Sequence, residues 1–203
     1  MWIYGVWRVM TDEQEWKEYK PYYRRGNMVH KKSDWNIYKE AENKKRGFEK
    51  ISEEQFVEDF FNTYFDTNYE FINLPERGTA YSAGYDVLAP AGFKLFSGDE
   101  IKIPTGIKAY MQNDEMLLAY PRSSLGFKYY CRLANTIGII DADYYDNEDN
   151  EGHIWVKIRN ESEKEMTIER GEAICQLIFQ KYLLADGDSF DGGERVGGIG
   201  STG

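Results

Sequence analysis

The amino-acid sequence predicts an all-β sandwich or barrel preceded by a short helical extension. From Pro75 onward, short apolar runs are separated by Gly, Pro, Asn and Asp, which is the pattern of strands and turns. Before Pro75, two segments instead begin with residues typical of helix starts. No stretch reaches the ~20 consecutive apolar residues of a membrane-spanning helix, so no membrane association is expected.

The extension is assigned to residues 1–73, which are rich in Trp, Tyr and charged side chains. Helix-start patterns begin at Thr11 and Ser52, each followed three residues later by a glutamine. In such a capping box the two side chains satisfy free backbone N–H groups. Apolar residues at helical spacing follow Ser52, so residues 52–66 are predicted to form an amphipathic helix. Its apolar face would pack on the main domain or, alternatively, bind a partner.

The main domain is assigned to residues 74–203. The runs that most resemble strands are 85–89, 100–104, 116–119, 153–158 and 174–179. From about residue 187 the chain becomes glycine-rich, and no helix follows to complete a phosphate loop. This end is therefore predicted to be a flexible arm, either inert or ordered by something that it wraps.

Composition and charge narrow the function classes. The formal net charge of −10 argues against general nucleic-acid binding, which needs a basic surface, but it permits a small anionic substrate held by a local cluster. The two cysteines form no metal-binding or redox motif, and their apolar neighbours indicate buried free thiols. With no recognisable signal peptide, a cytoplasmic location is expected.

Several generic chemistries lack their residues. The two histidines have no metal-ligand spacing, and no G-x-S-x-G motif supports a serine hydrolase. The acidic run after Asp141 lacks the central glycine of a calcium-binding loop. The chemistry must therefore come from another set of residues.

Five blocks in the main domain provide such a set. They are Ala83-Gly84-Tyr85-Asp86, Pro121-Arg122-Ser123-Ser124-Leu125-Gly126, residues 135–144, residues 170–179 and residues 195–203. In order and spacing they resemble the five motifs of the homotrimeric dUTP pyrophosphatases (dUTPases), over roughly residues 74–203. The resemblance implies a jelly-roll-like β fold and a homotrimer with sites shared between subunits. It also implies hydrolysis of dUTP to dUMP and pyrophosphate, with Mg²⁺ held by phosphates and water and without direct protein ligands.

The resemblance also implies roles for individual residues. Asp141 would be the general base that activates the attacking water. Arg122, Ser123, Ser124 and Gln176 would bind the phosphates, and Asp86 would steady either Arg122 or the water shell of the metal. Asn135, Gly138, Ile139 and Ile140 would bind uracil, and the ring of Tyr144 would lie on the deoxyribose. In the arm, Arg195, Gly200 and Ser201 would complete the phosphate site, and Ile199 would contact the base.

The sequence departs from the family pattern at three places. Residues 145–151 separate the motif tyrosine from Gly152, and we expect them to form a longer acidic hairpin tip. Ile199 stands where many relatives carry an aromatic residue, which would cost stacking of ~1 kcal/mol. The spacing from Arg195 to the following glycines is one residue shorter than is common.

Two alternatives remain. A dCTP deaminase, or a bifunctional enzyme, shares the fold and the Pro-Arg-Ser-Ser-Leu block, but the deaminase needs a glutamate where this chain has Lys157. A dUTPase-like regulatory protein would instead bind a partner through the extension or through residues 145–151. Such binding could also accompany catalysis.

Overall fold

The computed structural model describes residues 22–25, 28–31, 44–61 and 63–190. The chain folds as two units, residues 1–44 and residues 45–203. In the first unit, β1 (Tyr22–Arg25) and β2 (Met28–Lys31) form an antiparallel hairpin. The helix start predicted at Thr11, and the arm residues Arg195, Ile199, Gly200 and Ser201, lie outside the described residues.

The second unit is built mainly from short antiparallel strands. They are β3 (Gly47–Lys50), β4 (Glu76–Arg77), β5 (Tyr85–Leu88), β6 (Phe93–Leu95), β7 (Glu100–Pro104), β8 (Ile107–Tyr110), β9 (Glu115–Pro121), β10 (Arg132–Leu133), β11 (Gly138–Asp141), β12 (Trp155–Arg159), β13 (Met166–Ile168) and β14 (Ala173–Lys181). Two helices accompany them, α1 (Glu53–Phe61) and α2 (Ser123–Tyr129). The prediction of an all-β fold is confirmed. In the described part of the extension, the helix α1 is accompanied by three strands, β1, β2 and β3.

One five-stranded sheet, in the order β11-β9-β14-β5-β4, carries part of each of the first four blocks singled out in the sequence, and the fifth block lies outside the described residues. A three-stranded sheet, β10-β12-β7, and the pairs β13-β6 and β3-β8 complete the described strands of this unit. Alternate residues point inward, so that Leu117, Ile158 and Leu177 are wholly buried. Each such side chain stabilises the fold by about 1.5–3 kcal/mol.

Helix α1 starts where the sequence predicts, but it ends earlier. The backbone N–H of Gln55 donates to Ser52 Oγ at 3.1 Å, as in a capping box. The reciprocal bond differs, because the N–H of Ser52 donates to Glu151 at 3.0 Å, from a loop 99 residues away. The helix stops at Phe61 because Thr63 donates its N–H and its hydroxyl to the carbonyl of Phe60 and turns the chain.

The predicted amphipathic face of α1 does pack on the β domain. Phe56 and Phe60 are buried, and beyond the helix Phe65 enters the core against Phe93. Val57 and Phe61, on the other side of α1, are exposed. Burial rather than helix propensity therefore fixes the position of this segment.

Both cysteines are buried free thiols, as predicted. Burial raises the pKa of Cys131 to about 11 and that of Cys175 to about 12, which keeps both thiols protonated at neutral pH. In the part of the chain that the structure describes, no helix has the length and apolarity to span a membrane.

Candidate active site

The first cluster of predicted site residues lies where β5, β9 and β14 run side by side. Gln176 on β14 pairs with Asp86 on β5 and with Tyr120 on β9. Arg122 follows β9 directly, and its guanidinium donates to the carboxylate of Asp86. The sequence left open whether Asp86 would steady Arg122 or the water shell of the metal, and the structure shows the contact with Arg122. Both side chains remain partly exposed, so this cluster is open to a ligand.

Ser123 and Ser124 form the exposed first turn of α2, next to Arg122. On the other side of the cluster, Gly84 lies directly against Gln176. A Cβ at Gly84 would come within 2.5 Å of Gln176 Oε1, so only glycine lets that amide occupy its present position. The cluster thus joins a guanidinium, two hydroxyls and an amide, which are groups that bind phosphate oxygens. We call these residues, with Asp86, the phosphate-side cluster.

The second cluster surrounds a cavity of about 450 Å³ between β9, β11 and β12. The cavity is lined by Lys102, Ala119, Leu133, Ala134, Asn135, Gly138, Ile139, Ile140, Tyr144, Ile154, Trp155, Val156 and Lys157. Of the residues assigned to base and sugar binding, all five that the structure describes are in this set. We call it the nucleoside-side pocket, because its size and mixed lining suit one flat heterocycle with its sugar.

The turn into the pocket is tighter than its sequence alone indicates. The N–H of Thr136 donates to the carbonyl of Leu133, and Thr136 adopts a left-handed φ of 68°. Gly138 then begins β11 opposite Ala119, and a Cβ there would lie 3.1 Å from the Ala119 methyl group. This turn leads from β10 to β11, which pair with different strands, β12 and β9.

Tyr144 is fixed from several sides. It ends a 3₁₀ turn, its side chain is buried, and its hydroxyl donates to the carbonyl of His153 at 2.9 Å. Asn150 Nδ2 donates to the same hydroxyl at 2.9 Å, and Asn147 Nδ2 donates to the carbonyl of Tyr144 at 2.8 Å. The ring is therefore held in one orientation at the pocket wall.

Two lysines and one tryptophan of the pocket were not predicted as site residues. The ammonium of Lys102 lies 4.1 Å from the centre of the Trp155 ring, and Lys157 pairs with Glu100. Trp155 is partly exposed and adds an aromatic surface to the pocket. The sequence places Trp155 on a predicted strand beside Gly152 and His153. Whether its ring faces the pocket depends on the packing of β12.

Residues 145–151 form a loop in which Glu148 and Asp149 are exposed, while residues near both ends of the loop contact the extension or β8. The Tyr145 hydroxyl donates to Glu49 at 2.6 Å, and Lys108 Nζ donates to Asp146 at 2.5 Å and to Glu151 at 3.2 Å. Burial would lower the pKa of Lys108, but the two carboxylates outweigh it and raise that pKa. Burial, followed by the Glu49 carboxylate, raises the pKa of Tyr145. These contacts join the loop that follows Tyr144 to β3, β8 and the start of α1.

Asp141 and the phosphate-side cluster lie at opposite ends of β9. Asp141 pairs with Met116 near the start of that strand, whereas Arg122 follows its last residue, Pro121. Six residues of strand at ~3.3 Å each separate the two positions by about 20 Å. A single chain therefore does not bring Asp141 to the phosphate-side cluster.

Comparison with known proteins places this geometry in a family. A family model described as dUTPase matches residues 70–203. The deoxyuridine 5'-triphosphate nucleotidohydrolase of Lactococcus lactis is 48% identical over 133 residues, which are 65% of this chain and 89% of that protein. That of Tolumonas auensis is 37% identical over 137 residues, covering 64% and 87%.

Solved structures of dUTPases are also similar to this chain. The crystal structure of a dUTPase from Streptococcus mutans superposes with a TM-score of 0.56 at 38% identity, covering 70% of this chain and 99% of that one. The dUTPase of phage phi11 of S. aureus, at 16% identity and a TM-score of 0.53, shares the fold over 74% of this chain and 99% of its own. The predicted jelly-roll-like fold is confirmed by these likenesses, and the chain belongs to the dUTPase family.

Proposed function

We propose that this protein is a dUTP diphosphatase, which hydrolyses dUTP to dUMP and pyrophosphate. The observation that carries the proposal is the nucleoside-side pocket, which places Asn135, Gly138 and Tyr144 around one cavity in a chain of this family. Asp141 ends the strand that lines this cavity. A base for water activation therefore stands next to a compartment of nucleoside size.

Asp141 is the proposed general base. It would orient a water molecule and accept its proton as the water oxygen bonds to the α-phosphorus. The bond between that phosphorus and the oxygen bridging to the β-phosphate breaks, and pyrophosphate leaves with the electron pair. Water thereby supplies the new oxygen of dUMP, and the enzyme is left protonated at one carboxylate until the proton passes to solvent.

The phosphate-side cluster would bind the triphosphate. Arg122, Ser123, Ser124 and Gln176 offer donors to oxygens whose charge grows during transfer. Asp86 orients the Arg122 guanidinium through their ion pair. From the sequence, Arg195, Gly200 and Ser201 would close the arm over the phosphates, with Ile199 against the base.

Base and sugar selection would take place in the pocket. The Asn135 amide and the backbone groups of residues 138–140 can match the pairing edge of uracil, and cytosine would leave polar groups without partners. The fixed ring of Tyr144 would occupy the space that a 2′-hydroxyl needs.

Mg²⁺ is proposed as a companion of the substrate. Among the described residues there is no group of three or more His, Cys, Asp or Glu side chains that could hold a metal ion. Mg²⁺ keeps most of its water and needs few protein ligands, so the proposed ion would be carried by the phosphates and water. When bound, it would offset the charge of the triphosphate and of the leaving pyrophosphate. A phage phi11 dUTPase variant coordinates a structural Mg(II) ion.

We propose sites shared between subunits from the separation along β9, and a homotrimer from membership of the dUTPase family. Because Asp141 and Arg122 of one chain stand about 20 Å apart, a complete site requires Asp141 from one subunit and Arg122 from another. Exposed apolar side chains such as Phe127, Ile139 and Leu183 provide surface that assembly would cover. The buried thiols support a cytoplasmic location for this assembly.

The first test measures pyrophosphate release with Mg²⁺ from dUTP, dCTP, dTTP and UTP, with ammonia followed in parallel. Release from dUTP alone is expected. Ammonia from dCTP would establish the deaminase alternative, which the exposed Lys157–Glu100 pair does not favour. No release from any nucleotide would instead indicate a binding protein.

A second test concerns the shared site. Arg122→Ala and Asp141→Asn are each expected to give inactive trimers. When equal amounts are unfolded and reassembled together, mixed trimers have one intact site in three, so activity should return to about one quarter of wild type. A mixture as inactive as its parents would show that both residues act within one chain.

A further inference from the structure

The hydrogen bonds that fix Tyr144 lead to α1, which lies outside the residues matched by the family model. His153 is at the centre of this connection. Its backbone carbonyl accepts the Tyr144 hydroxyl, and its side chain is fully buried. The same residue therefore holds the pocket tyrosine through its backbone and contacts other elements through its ring.

The surroundings of the imidazole determine its protonation. The backbone N–H of Gly106 donates to Nε2 of His153 at 2.8 Å, so Nε2 carries no proton. The proton is then on Nδ1, which donates to Asp59 Oδ2 at 2.5 Å. The ring is a neutral imidazole in one tautomer, held between the backbone of one loop and a carboxylate of α1.

Ring contacts also link His153 to α1 and to the nucleoside-side pocket. The His153 ring stacks on Phe60 of α1, with centroids 6.2 Å apart and planes inclined by 16°. On its other side lies the Trp155 ring, 5.1 Å away. Tyr144 and Trp155 both line the nucleoside-side pocket, so a shift of the imidazole would move two of its walls.

Asp59 is itself held in place. Gln55, one turn earlier on α1, donates to the same Oδ2 at 2.9 Å. Burial would raise the pKa of Asp59, but the hydrogen bonds from His153 and Gln55 outweigh it and lower that pKa. The carboxylate therefore stays ionised at neutral pH and remains an acceptor for the imidazole N–H.

We propose that Asp59, His153 and Asn150 are positioning residues for Tyr144, and that helix α1 thereby sets the selectivity of the pocket for deoxyribose over ribose. We call these three residues the Tyr144 bracket. None of them needs to touch the nucleotide. The bracket fixes the height of the tyrosine ring in the pocket, and that height decides whether a 2′-hydroxyl fits. This inference rests on the proposed use of the pocket for deoxyuridine.

The test compares steady-state hydrolysis of dUTP and UTP by the full-length protein and by Asp59→Ala. Loss of one buried hydrogen-bond acceptor is expected to raise the KM for dUTP about tenfold, with kcat within about twofold of wild type. The ratio of kcat/KM for dUTP to that for UTP should fall. Calorimetric titration with dUMP and UMP should show the same loss of preference without any turnover.

Matched variants separate positioning from general stability. Glu58→Ala, on the exposed side of the same helix, should leave KM and selectivity unchanged. Asp59→Asn keeps an oxygen that accepts the imidazole N–H, so it should retain most of the selectivity. Tyr144→Phe removes the hydroxyl that the bracket holds, and combining it with Asp59→Ala should add little to the larger single effect.

Asn150→Ala acts from the loop on the same hydroxyl, so it tests the bracket even if Asp59→Ala does not fold. Folded variants with a lower melting temperature but an unchanged dUTP-to-UTP preference would overturn the inference. A wild-type protein that does not hydrolyse dUTP would instead contradict the proposed function, whatever the variants do.

Discussion

The nucleoside-side pocket and the phosphate-side cluster are built in different ways. Around the pocket, Tyr144 is buried and bonded on several sides, and Gly138 is pressed against Ala119. In the phosphate-side cluster, Arg122 has one ion pair, and the two serines stand exposed. Under the proposed function, this difference implies that one subunit would already select base and sugar, whereas phosphate binding and chemistry would require a neighbouring chain.

The largest expected effect comes from Asp141→Asn. The amide cannot accept the proton of the attacking water, so kcat should fall by about a thousandfold. Nucleotide affinity should be nearly unchanged, because the pocket keeps its walls. Pyrophosphate release and calorimetric titration with dUTP measure the two quantities.

Asp143→Asn is the matched control, since it makes the same change two residues later at an exposed position. It should retain near-normal turnover. Near-normal turnover by Asp141→Asn would show that Asp141 is not the general base. The proposed separation of roles between the two clusters would then also be wrong.

The next effect is that of Gly84→Ala. A methyl group here would displace the Gln176 amide, whose Oε1 would otherwise lie 2.5 Å away. The amide can rotate aside, but Gln176 Cβ would remain 3.1 Å from the new methyl group, so the free energy of unfolding should also fall, by about 1–3 kcal/mol. The kcat/KM for dUTP should drop about tenfold for one lost phosphate contact. Steady-state kinetics and a thermal melt test both halves.

Gln176→Ala supplies the reference for this variant. If the methyl group acts by displacing Gln176, the double variant should be no worse than the more impaired single variant. Effects that add in full would show that Gly84 acts on the site by another route.

How much of this could be predicted depends on the range of each interaction. The strands and the blocks around Arg122 and Asp141 follow from local patterns of apolar and turn residues, so the sequence sufficed for them. Ser52 was predicted as a helix cap for the same reason. Its second partner, Glu151, and the contact of Asp59 with His153 join residues about a hundred positions apart, which no local pattern encodes. Trp155 was not predicted as a site residue, because the alternation of side chains along a strand does not show which inward-facing residue borders a cavity.

Gly138→Ala tests how rigid the nucleoside-side pocket is. The added methyl group would meet the Ala119 methyl on the paired strand at 3.1 Å, so the backbone of β9 or β11 must shift. Overpacking of this kind should lower the free energy of unfolding by about 1–3 kcal/mol and also weaken dUMP binding. Denaturant unfolding and calorimetry measure these changes.

Gly126→Ala is its control. The nearest atom to a Cβ there is the carbonyl of Cys131 at 3.9 Å, and alanine favours the helix that contains the position. Its free energy of unfolding should stay level or rise slightly. A Gly138→Ala protein as stable as Gly126→Ala would show that the pocket accommodates an added methyl group and is not rigid.

The smallest effect concerns the end of β9 that carries Asp141. Glu115 is buried there, next to the residue that pairs with Asp141, and Arg46 Nε donates to both of its carboxylate oxygens, at 3.0 and 3.1 Å. The Arg46 hydrogen bonds lower the pKa of Glu115 in the folded protein, although burial opposes them. A lowered folded pKa means that the stabilisation is complete above the unfolded pKa of ~4.3 and is lost as pH falls through the folded value.

Glu115→Gln should therefore be less stable than wild type by a constant amount between about pH 6 and 8, and the gap should narrow below about pH 4.3. Denaturant unfolding across this range measures the gap, with Glu163→Gln as an exposed control. A gap that stays constant down to about pH 3 would mean that the ion pair does not supply the stability. In that case packing alone would stabilise the end of the sheet that carries Asp141. Charged groups would then contribute less to stability there than at the phosphate-side cluster.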